Sequence, residues 1–433
     1  MTTTTPPSYN ISNVSCLDLA KSSDPISTGI GFFDHMIDQL NSHAQVGVSV
    51  VVSLSSDDDK GDKNRFAEPM DNQCALASQV GSAMGTELSK IIEKVSVGST
   101  SRFCCPLDEG LVECILTKSE NGGSLTTFTL PPYGIYPSKT GRTKIGQMST
   151  AIVQPFFQNL AVSSGLTISL HKVRGDNGHH VVESAFKAFS RALRNMIDGT
   201  DTSNDWSASM EKTWGKSSQS YKDGIQLQRG GIIQRQTKET SIDVMLQLDG
   251  TNGSDKFVID TGLNTLNTFV TSLAKEADVS LNAVCKGDLW VDDHHTSEDV
   301  AIALGQVLNK ALGTKAGLNR MWCAVGGSGD AQVEVTMDLS NRPCLTSNLS
   351  LSNNEQGEEY VGDMSIEMFA HALESLVMNG QMTVHIVENN AGKNLMETVV
   401  ATAIAFGRAL RLCAAVDPRR AGKTASSKGT LSV

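Results

Sequence analysis

The sequence predicts an α+β fold in which two-layer units, with helices on one face of a mixed sheet, are repeated as two tandem copies. Two observations predict this fold. The segments TGIGFFDHMIDQL (28–40) and FKAFSRALRNMI (186–197) are echoed about half a chain later by TGLNTLNTFVTSL (261–273) and AIAFGRALRLCA (403–414). Within each copy, stretches with the period of two that is typical of strands alternate with stretches of helical period.

The elements follow from these periods. The echoed segments at 28–40 and 261–273 are predicted to begin amphipathic helices. Further helices are predicted at 179–197 and 297–312, where apolar side chains recur with helical spacing. Period-two or β-rich patterns predict strands at 240–248, 330–339 and 381–387.

The boundary between the copies is predicted from composition. The middle of the chain is rich in Ser, Asp, Gly and Lys and lacks sustained apolar periodicity, which is typical of a linker or surface loop. We therefore assign copy one to 1–200, the linker to 201–229 and copy two to 230–433. A second polar stretch at 55–65 follows the apolar alternation VGVSVVVSL and is predicted to be a solvated hairpin or loop.

Charge and cysteine usage exclude several classes of function. The formal net charge of −11 argues against a nucleic-acid or anionic-membrane partner, although a local basic pocket could still bind a phosphate. No apolar run approaches the roughly 18 residues of a membrane span. The nine cysteines are scattered, odd in number and without a C-x-x-C pair, which favours reduced thiols. Because the N-terminal residues lack an apolar signal core, we expect a cytoplasmic protein, with a plastid location left open.

The strongest chemical signal is DDHHTSED (292–299), at the start of a predicted helix. On a helix, His294 and Glu298 share a face while His295 points about 100° away, so this spacing supplies two ligands to one metal and a third to another. The same H-H-x-x-E spacing occurs at 179–183. One occurrence is also typical of a polar helix start, but two occurrences on similar helices favour metal binding. Imidazole and carboxylate ligands without thiolate suit Mn²⁺, Fe²⁺ or Zn²⁺.

Several long motifs resemble those of imidazoleglycerol-phosphate dehydratases, which are enzymes of histidine biosynthesis. These motifs are GIGFFDHMIDQL, DDHHTSEDVAIALG, DNGHHVVESAFKAFSRALR, LSNRP and SSKGTL. The resemblance covers nearly the whole chain twice over, because an ordinary family member has roughly the length of one copy. It implies that each copy contains two related α/β halves. It also implies packing into a shell of about 24 units, which about twelve fused chains would supply.

The resemblance assigns the metal ligands one by one, because the family binds two manganese ions through six histidines and two glutamates. The ligands matched in copy one are His35, His179, His180 and Glu183. Those matched in copy two are His294, His295, Glu298 and His371. At the remaining ligand positions copy two has Thr268, Met396, Glu397 and Val400, and copy one has Pro155 and the histidine-free stretch 68–78. Each ligand survives in one copy only, which predicts a composite site built from both copies.

The resemblance also assigns residues to the substrate. Glu239 of RQTKET matches a family glutamate that we expect to transfer protons, and we assign catalytic roles to Glu239, His35 and His294. A phosphate cradle is expected from Arg320, Arg342, Ser427 and Lys428, because guanidinium and ammonium groups suit a phosphate dianion. Copy one is expected to contribute Gln39, His43 and Lys187. Whether Arg102 and Glu109 of copy one contact the substrate stays open at this point.

The implied reaction removes water from imidazole glycerol phosphate and yields imidazole acetol phosphate. The expected cofactor is Mn²⁺, two ions per composite site, acting as a Lewis acid on the imidazole ring, and the expected partners are the small phosphorylated substrate and further copies of the chain. Two alternatives stay open. One is a catalytically inactive structural or regulatory protein of the same fold. The other is a different dinuclear metalloenzyme, such as a hydrolase, that uses the same H-H-x-x-E helices.

Overall fold

A computed structural model describes residues 9–18, 24–54, 70–134, 141–199, 229–249, 257–353, 357–426 and 431. The chain divides into two compact units, Met1–Ser217 with Ser426–Lys428 and Ser218–Ala425 with Gly429–Val433. The predicted linker up to residue 228 and the polar stretch 55–65 lie outside the described residues, as do Ser427 and Lys428.

The described residues of unit 1 form two larger sheets, one two-stranded sheet and their helices. Its strands are β1 (Tyr9–Asp18), β2 (Ile26–Ser27), β3 (Val46–Leu54), β4 (Thr100–Leu107), β5 (Gly110–Lys118), β6 (Ser124–Thr129), the short pair β7 (Lys144–Ile145) and β8 (Met148–Ser149), and β9 (Leu166–Arg174). Its helices are α1 (Gly31–Gln39), α2 (Met70–Ile91), α3 (Val153–Ser164) and α4 (Gly178–Ile197). The strand orders are β1-β3-β2 and β4-β5-β9-β6, with β2 parallel to β3 and β6 parallel to β9. Each parallel pair is joined through a helix, α1 or α3, as parallel strands require.

Unit 2 repeats this plan. Its strands are β10 (Gly230–Gln236), β11 (Thr240–Gln247), β12 (Phe257–Asp260), β13 (Ser280–Gly287), β14 (Met321–Ser328), β15 (Ala331–Asp338), β16 (Cys344–Ser347), the short pair β17 (Tyr360–Val361) and β18 (Met364–Ser365), and β19 (Thr383–Asn390). Its helices are α5 (Asn264–Ala277), α6 (His294–Leu312), α7 (Ile366–Gly380) and α8 (Leu395–Ala414). The orders β10-β11-β13-β12 and β14-β15-β19-β16 match that of the second sheet of unit 1.

The echoed segments form the same local structure. In unit 1, the backbone N–H and the hydroxyl of Thr28 donate to Asp34 Oδ1 at 2.7 and 2.5 Å. In unit 2, the equivalent groups of Thr261 donate to Asn267 Oδ1 at 2.9 and 2.8 Å. A side chain inside the first turns of α1 and of α5 therefore fixes the entering chain in the same way, which explains why the two sequences read alike.

Close helix packing in each unit depends on helical glycines. A Cβ at Gly81 of α2 would lie 2.4 Å from the carbonyl oxygen of Phe156 on α3. A Cβ at Gly407 of α8 would lie 2.3 Å from the carbonyl oxygen of Leu273 on α5. Because both positions lack a side chain, these helix pairs approach backbone to backbone.

The observed architecture confirms the predicted α+β fold class. The helices predicted at 179–197 and 297–312 are α4 and α6, and the strands predicted at 240–248, 330–339 and 381–387 are β11, β15 and β19. The helix predicted at 28–40 is α1, which continues as a π turn over Leu40–Ala44. Among the described residues, no helix combines the length and the apolar character needed to cross a membrane.

Candidate metal centre

The assigned ligands are distributed over helix pairs in a regular way. In unit 1, α1 packs against α4 and α2 packs against α3. The pairing is the same in unit 2, where α5 packs against α8 and α6 packs against α7. The copy-one ligands lie on α1 and α4, and the copy-two ligands lie on α6 and α7. By chain order α6 and α7 correspond to α2 and α3, so the pair that carries ligands in one unit lacks them in the other. We call His35, His179, His180 and Glu183 the first half-site, and His294, His295, Glu298 and His371 the second half-site.

The first half-site is centred on the carboxylate of Glu183. His179 Nε2, one helical turn earlier, lies 3.0 Å from Glu183 Oε2. His35 Nε2 reaches from α1 to 4.0 Å from Glu183 Oε1. The Phe32 ring packs beside His179, with 4.7 Å between the ring centroids, and forms an apolar wall. Three donor groups from two helices thus converge on one point.

Neighbouring side chains set the charge states of these ligands. Burial by itself would raise the pKa of Glu183, but the Lys187 ammonium, 2.7 Å from Oε1, and His179 hold that pKa well below its usual range. Burial lowers the pKa of His35 despite the nearby Glu183 carboxylate. Gln39 Nε2 donates to the carbonyl oxygen of His35 at 3.0 Å and fixes its backbone. An ionised carboxylate and a neutral imidazole are the forms that bind a metal.

His180 points towards a different carboxylate. Its Nδ1 lies 2.7 Å from Glu109 Oε2, and its Nε2 lies 3.6 Å from Asp108 Oδ2, both on the turn between β4 and β5. Glu109 Oε1 also accepts from the backbone N–H of Asn177 at 3.0 Å, and the side chain of Asn177 caps α4. Glu109, whose role stayed open from sequence, therefore orients a predicted ligand and the start of its helix.

The second half-site has the same arrangement as the first. His294 Nε2 lies 3.5 Å from Glu298 Oε2, and His371 Nε2 on α7 lies 3.1 Å from Glu298 Oε1. The ligand atoms of His294, Glu298 and His371 all lie within 4.8 Å of one another. Donors bound to one ion at about 2.0–2.2 Å stand at comparable separations. The donor set and its spacing thus fit a divalent metal.

Acidic residues before α6 position this half-site. Asp292 Oδ1 accepts from the backbone N–H of His294 at 3.0 Å and satisfies one of the free N–H groups at the helix start. Asp293 Oδ2 accepts from the backbone N–H of Ser365 at 2.6 Å, directly before α7. The starts of the two ligand-bearing helices are therefore tied together.

His295, like His180, is directed at a carboxylate of its own. Its Nδ1 lies 3.1 Å from Oδ2 of the buried Asp288. This hydrogen bond is the main cause that raises the pKa of His295, and the charge of Glu239 adds to the rise. A carboxylate on one ring nitrogen fixes the tautomer and leaves the other nitrogen available to a metal.

The turn between β10 and β11 holds Glu239 close to the second half-site. Thr237 Oγ1 accepts from the backbone N–H of Glu239 at 3.1 Å. The Thr240 hydroxyl donates to Asp299 Oδ2 at 2.6 Å, and Arg235 Nη2 donates to Asp299 Oδ1 at 2.6 Å. Asp299 directly follows Glu298 on α6. The Arg and the two Thr residues of RQTKET thus anchor Glu239 to the ligand-bearing helix.

The structure places the predicted phosphate arginines on neighbouring segments. Arg320 is buried, and its Nε and Nη2 donate to Asp338 Oδ1 and Oδ2 at 2.7 and 2.8 Å. Its Nη1 donates to the carbonyl oxygen of Ala425 at 2.5 Å, close to the position of Ser427 and Lys428 in the sequence. Arg342 is half-buried, and its carbonyl oxygen accepts from the Thr383 hydroxyl at 2.8 Å. Their contact with a phosphate stays a prediction.

Two further candidates lie deeper in unit 1. His43 is fully buried in the π turn that follows α1. Arg102 Nε donates to Glu113 Oε1 at 2.5 Å, across the β4–β5 pair. The structure thus gives Arg102 a cross-strand partner, and substrate contact by either residue stays a prediction.

Two copy-two residues at positions matched to copy-one ligands hydrogen-bond to the backbone. Thr268, at the position of His35, donates through Oγ1 to the carbonyl oxygen of Asn264 at 2.8 Å. Glu397, at the position of His180, accepts through Oε2 from the backbone N–H groups of Asp330 and Lys393 at 3.1 and 2.9 Å. In copy two, the residues at these matched positions thus hold backbone N–H and carbonyl groups in hydrogen bonds.

Sequence reasoning missed two carboxylates: Asp288, which bonds to His295, and Asp299, which anchors the turn that holds Glu239. Asp299 could have been found, because Arg235 and Thr240 flank Glu239 in one motif and need an acidic partner. Asp288 carries no such signal, since it comes seven residues before His295 and meets it only through the turn into α6.

Comparisons with known proteins point to one family. The model of the family described as imidazoleglycerol-phosphate dehydratase matches residues 28–193 and 261–410, which fits a tandem arrangement. An imidazoleglycerol-phosphate dehydratase of Neisseria gonorrhoeae is 38% identical over 203 residues, which are 47% of this chain and 64% of that protein. The chloroplastic imidazoleglycerol-phosphate dehydratase 1 of Arabidopsis thaliana is 38% identical over 215 residues, 50% of this chain and 76% of that protein.

A solved structure is also similar. The crystal structure of imidazoleglycerol-phosphate dehydratase from Staphylococcus aureus shares 27% identity and a TM-score of 0.37, covering 43% of this chain and 99% of that one. The two matched segments of the family model together make up most of the sequence. The chain therefore belongs to the imidazoleglycerol-phosphate dehydratase family.

Proposed function

We propose that this protein is a manganese-dependent imidazoleglycerol-phosphate dehydratase whose active site is composite. The observation that carries the proposal is the matched geometry of the two half-sites on complementary helix pairs. In each, two histidines from different helices converge on one glutamate, and the fourth ligand is a histidine held by a separate carboxylate. Together they supply each family ligand once.

The arrangement of the fourth histidines supports sharing. His180 and His295 are directed away from Glu183 and Glu298. Each would therefore bind an ion other than the one held by the three ligands of its own half-site. Three ligands from one half-site and one histidine from the other would give each of two ions four protein donors. Open coordination positions would remain for substrate, as catalytic metal sites require.

The donor set also suggests which residues perform the chemistry. A bound manganese ion would act as a Lewis acid that favours the deprotonated imidazole of the substrate. Glu239, exposed beside His295, is placed to take up and return a proton at its carboxylate. Arg342, which is half-buried, would supply a guanidinium group to the phosphate end of the substrate, beside the buried Arg320–Asp338 pair. The Phe32 ring packs against His179 on one side of the first half-site.

One assay tests this function. Purified full-length protein, loaded with Mn²⁺ and given imidazole glycerol phosphate, is expected to form imidazole acetol phosphate, and chelation of the metal is expected to stop the reaction. Absence of product with metal bound would contradict the proposal and favour a different metalloenzyme. Absence of both product and bound metal would favour an inactive structural protein.

A further inference from the structure

One buried ammonium group joins three loops of unit 2. Lys315 is 1% exposed, in the connection between α6 and β14. Its Nζ donates to Asn341 Oδ1, in the connection between β15 and β16. It also donates to the carbonyl oxygen of Gln381 at 3.3 Å, in the connection between α7 and β19. A fully buried lysine is uncommon, and the hydrogen-bond acceptors of this one are neutral oxygens.

The backbone around this ammonium is unusual. Lys315, Arg320, Asn341 and Gln381 have positive φ values of 58, 75, 58 and 52°. Residues with side chains seldom adopt this left-handed conformation, and several together persist only where the surrounding contacts enforce it. The bonds from Lys315 to Asn341 and Gln381 are such contacts.

Both predicted phosphate arginines belong to the joined loops. Arg320 ends the loop that contains Lys315, and its carbonyl oxygen accepts from the backbone N–H of Leu339 at 3.0 Å. Arg342 directly follows Asn341, and its backbone N–H donates to Ser340 Oγ at 3.0 Å. A shift of Asn341 therefore moves Arg342, while Arg320 is held by Asp338 beside it.

We propose that Lys315 is a positioning residue that holds the Arg342 loop beside the buried Arg320–Asp338 pair, so that the Arg342 guanidinium recognises the phosphate monoester of the substrate. This inference rests on the proposed dehydratase function and adds a residue to its phosphate-binding region. Lys315 acts through Asn341 and does not itself touch the phosphate.

The charged neighbours of Lys315 define its titration. Burial lowers the pKa of Lys315 to about 8, Asp338 on β15 opposes the shift, and Arg320 before β14 adds to it. The segment that follows α8 packs against this loop: the Gly317 N–H donates to the carbonyl oxygen of Lys423, and the Asp417 N–H donates to the carbonyl oxygen of Gly317. The Asp417 carboxylate in turn accepts from Arg420 Nε. The ammonium is charged below about pH 8 and loses its charge above it.

Steady-state kinetics of the full-length enzyme test the proposal. Lys315→Met is expected to raise KM for imidazole glycerol phosphate by about tenfold and to lower kcat less than threefold, because phosphate recognition is weakened and the metal ligands are untouched. In Lys315→Arg, KM is expected to stay within about threefold of the wild-type value, since arginine keeps the positive charge and the hydrogen-bond donors. The control Lys393→Met, at an exposed lysine of the same unit, should leave both constants unchanged.

A pH profile separates positioning from a purely structural role. In the wild type, KM should rise as the pH increases through about 8, and in Lys315→Arg this rise should disappear, because arginine stays protonated. The wild type and Lys315→Arg suffice for this comparison if Lys315→Met fails to fold. An unchanged KM in Lys315→Met, or an identical alkaline rise in Lys315→Arg, overturns the proposal. An inactive wild type would instead remove the dehydratase function itself.

Discussion

Replacement of His35 by alanine is expected to inactivate the whole protein as completely as replacement of His294, although the two residues belong to different units. Each histidine is one of two that converge on a single glutamate, so its loss would open the coordination of one ion. Because the reaction needs both ions, we expect turnover to fall by at least about 100-fold in either variant, with reduced metal content. Turnover of the substrate and metal analysis after dialysis are the measurements.

A matched control is His171→Ala, at an exposed histidine of β9 whose Nδ1 bonds to Thr129 Oγ1 at 2.6 Å. It should retain wild-type turnover and metal content, because His171 belongs to neither half-site. Near-normal activity in His35→Ala or in His294→Ala would show that one unit suffices, and the composite site would then be wrong.

Replacement of Glu239 by glutamine is expected to abolish turnover while metal content stays at the wild-type level. Glutamine keeps the size and hydrogen-bonding capacity of the side chain, and the turn that holds it depends on Thr237, Thr240 and Asp299 rather than on the carboxylate. General acid–base catalysis contributes about 10²- to 10⁴-fold, so a loss of that order is expected in kcat.

The control for this variant is Glu93→Gln, at an exposed glutamate of unit 1, which should leave kcat unchanged. Unchanged turnover in Glu239→Gln would remove Glu239 from the mechanism. Loss of metal together with turnover would give Glu239 a structural role at the half-site instead of proton transfer.

The parts of the fold and site that follow local periodicity could be predicted from the sequence. The i, i+4 spacing in H-H-x-x-E places His179 beside Glu183 and His294 beside Glu298, while the second histidine of each motif turns away. This geometry is a property of any α-helix, so two short motifs were enough to predict it.

The contacts between elements could not be predicted in the same way. His371 meets Glu298 from another helix, and only the family resemblance identified it from sequence. Lys315 and Asn341 are 26 residues apart and join through strained turns that no local pattern indicates. Arg320 was predicted from the family resemblance, and its pairing with Asp338 depends on the register of β14 and β15. Such contacts are fixed by tertiary packing rather than by propensity.

The central claim is that eight ligands divided between two units make one complete dinuclear site. The most direct test is the number of manganese ions bound per chain after the full-length protein is saturated and dialysed, measured by elemental analysis against protein concentration. The account predicts about two ions per chain, falling in both His35→Ala and His294→Ala. About four ions per chain, as expected of two independent sites, or none at all, would contradict it.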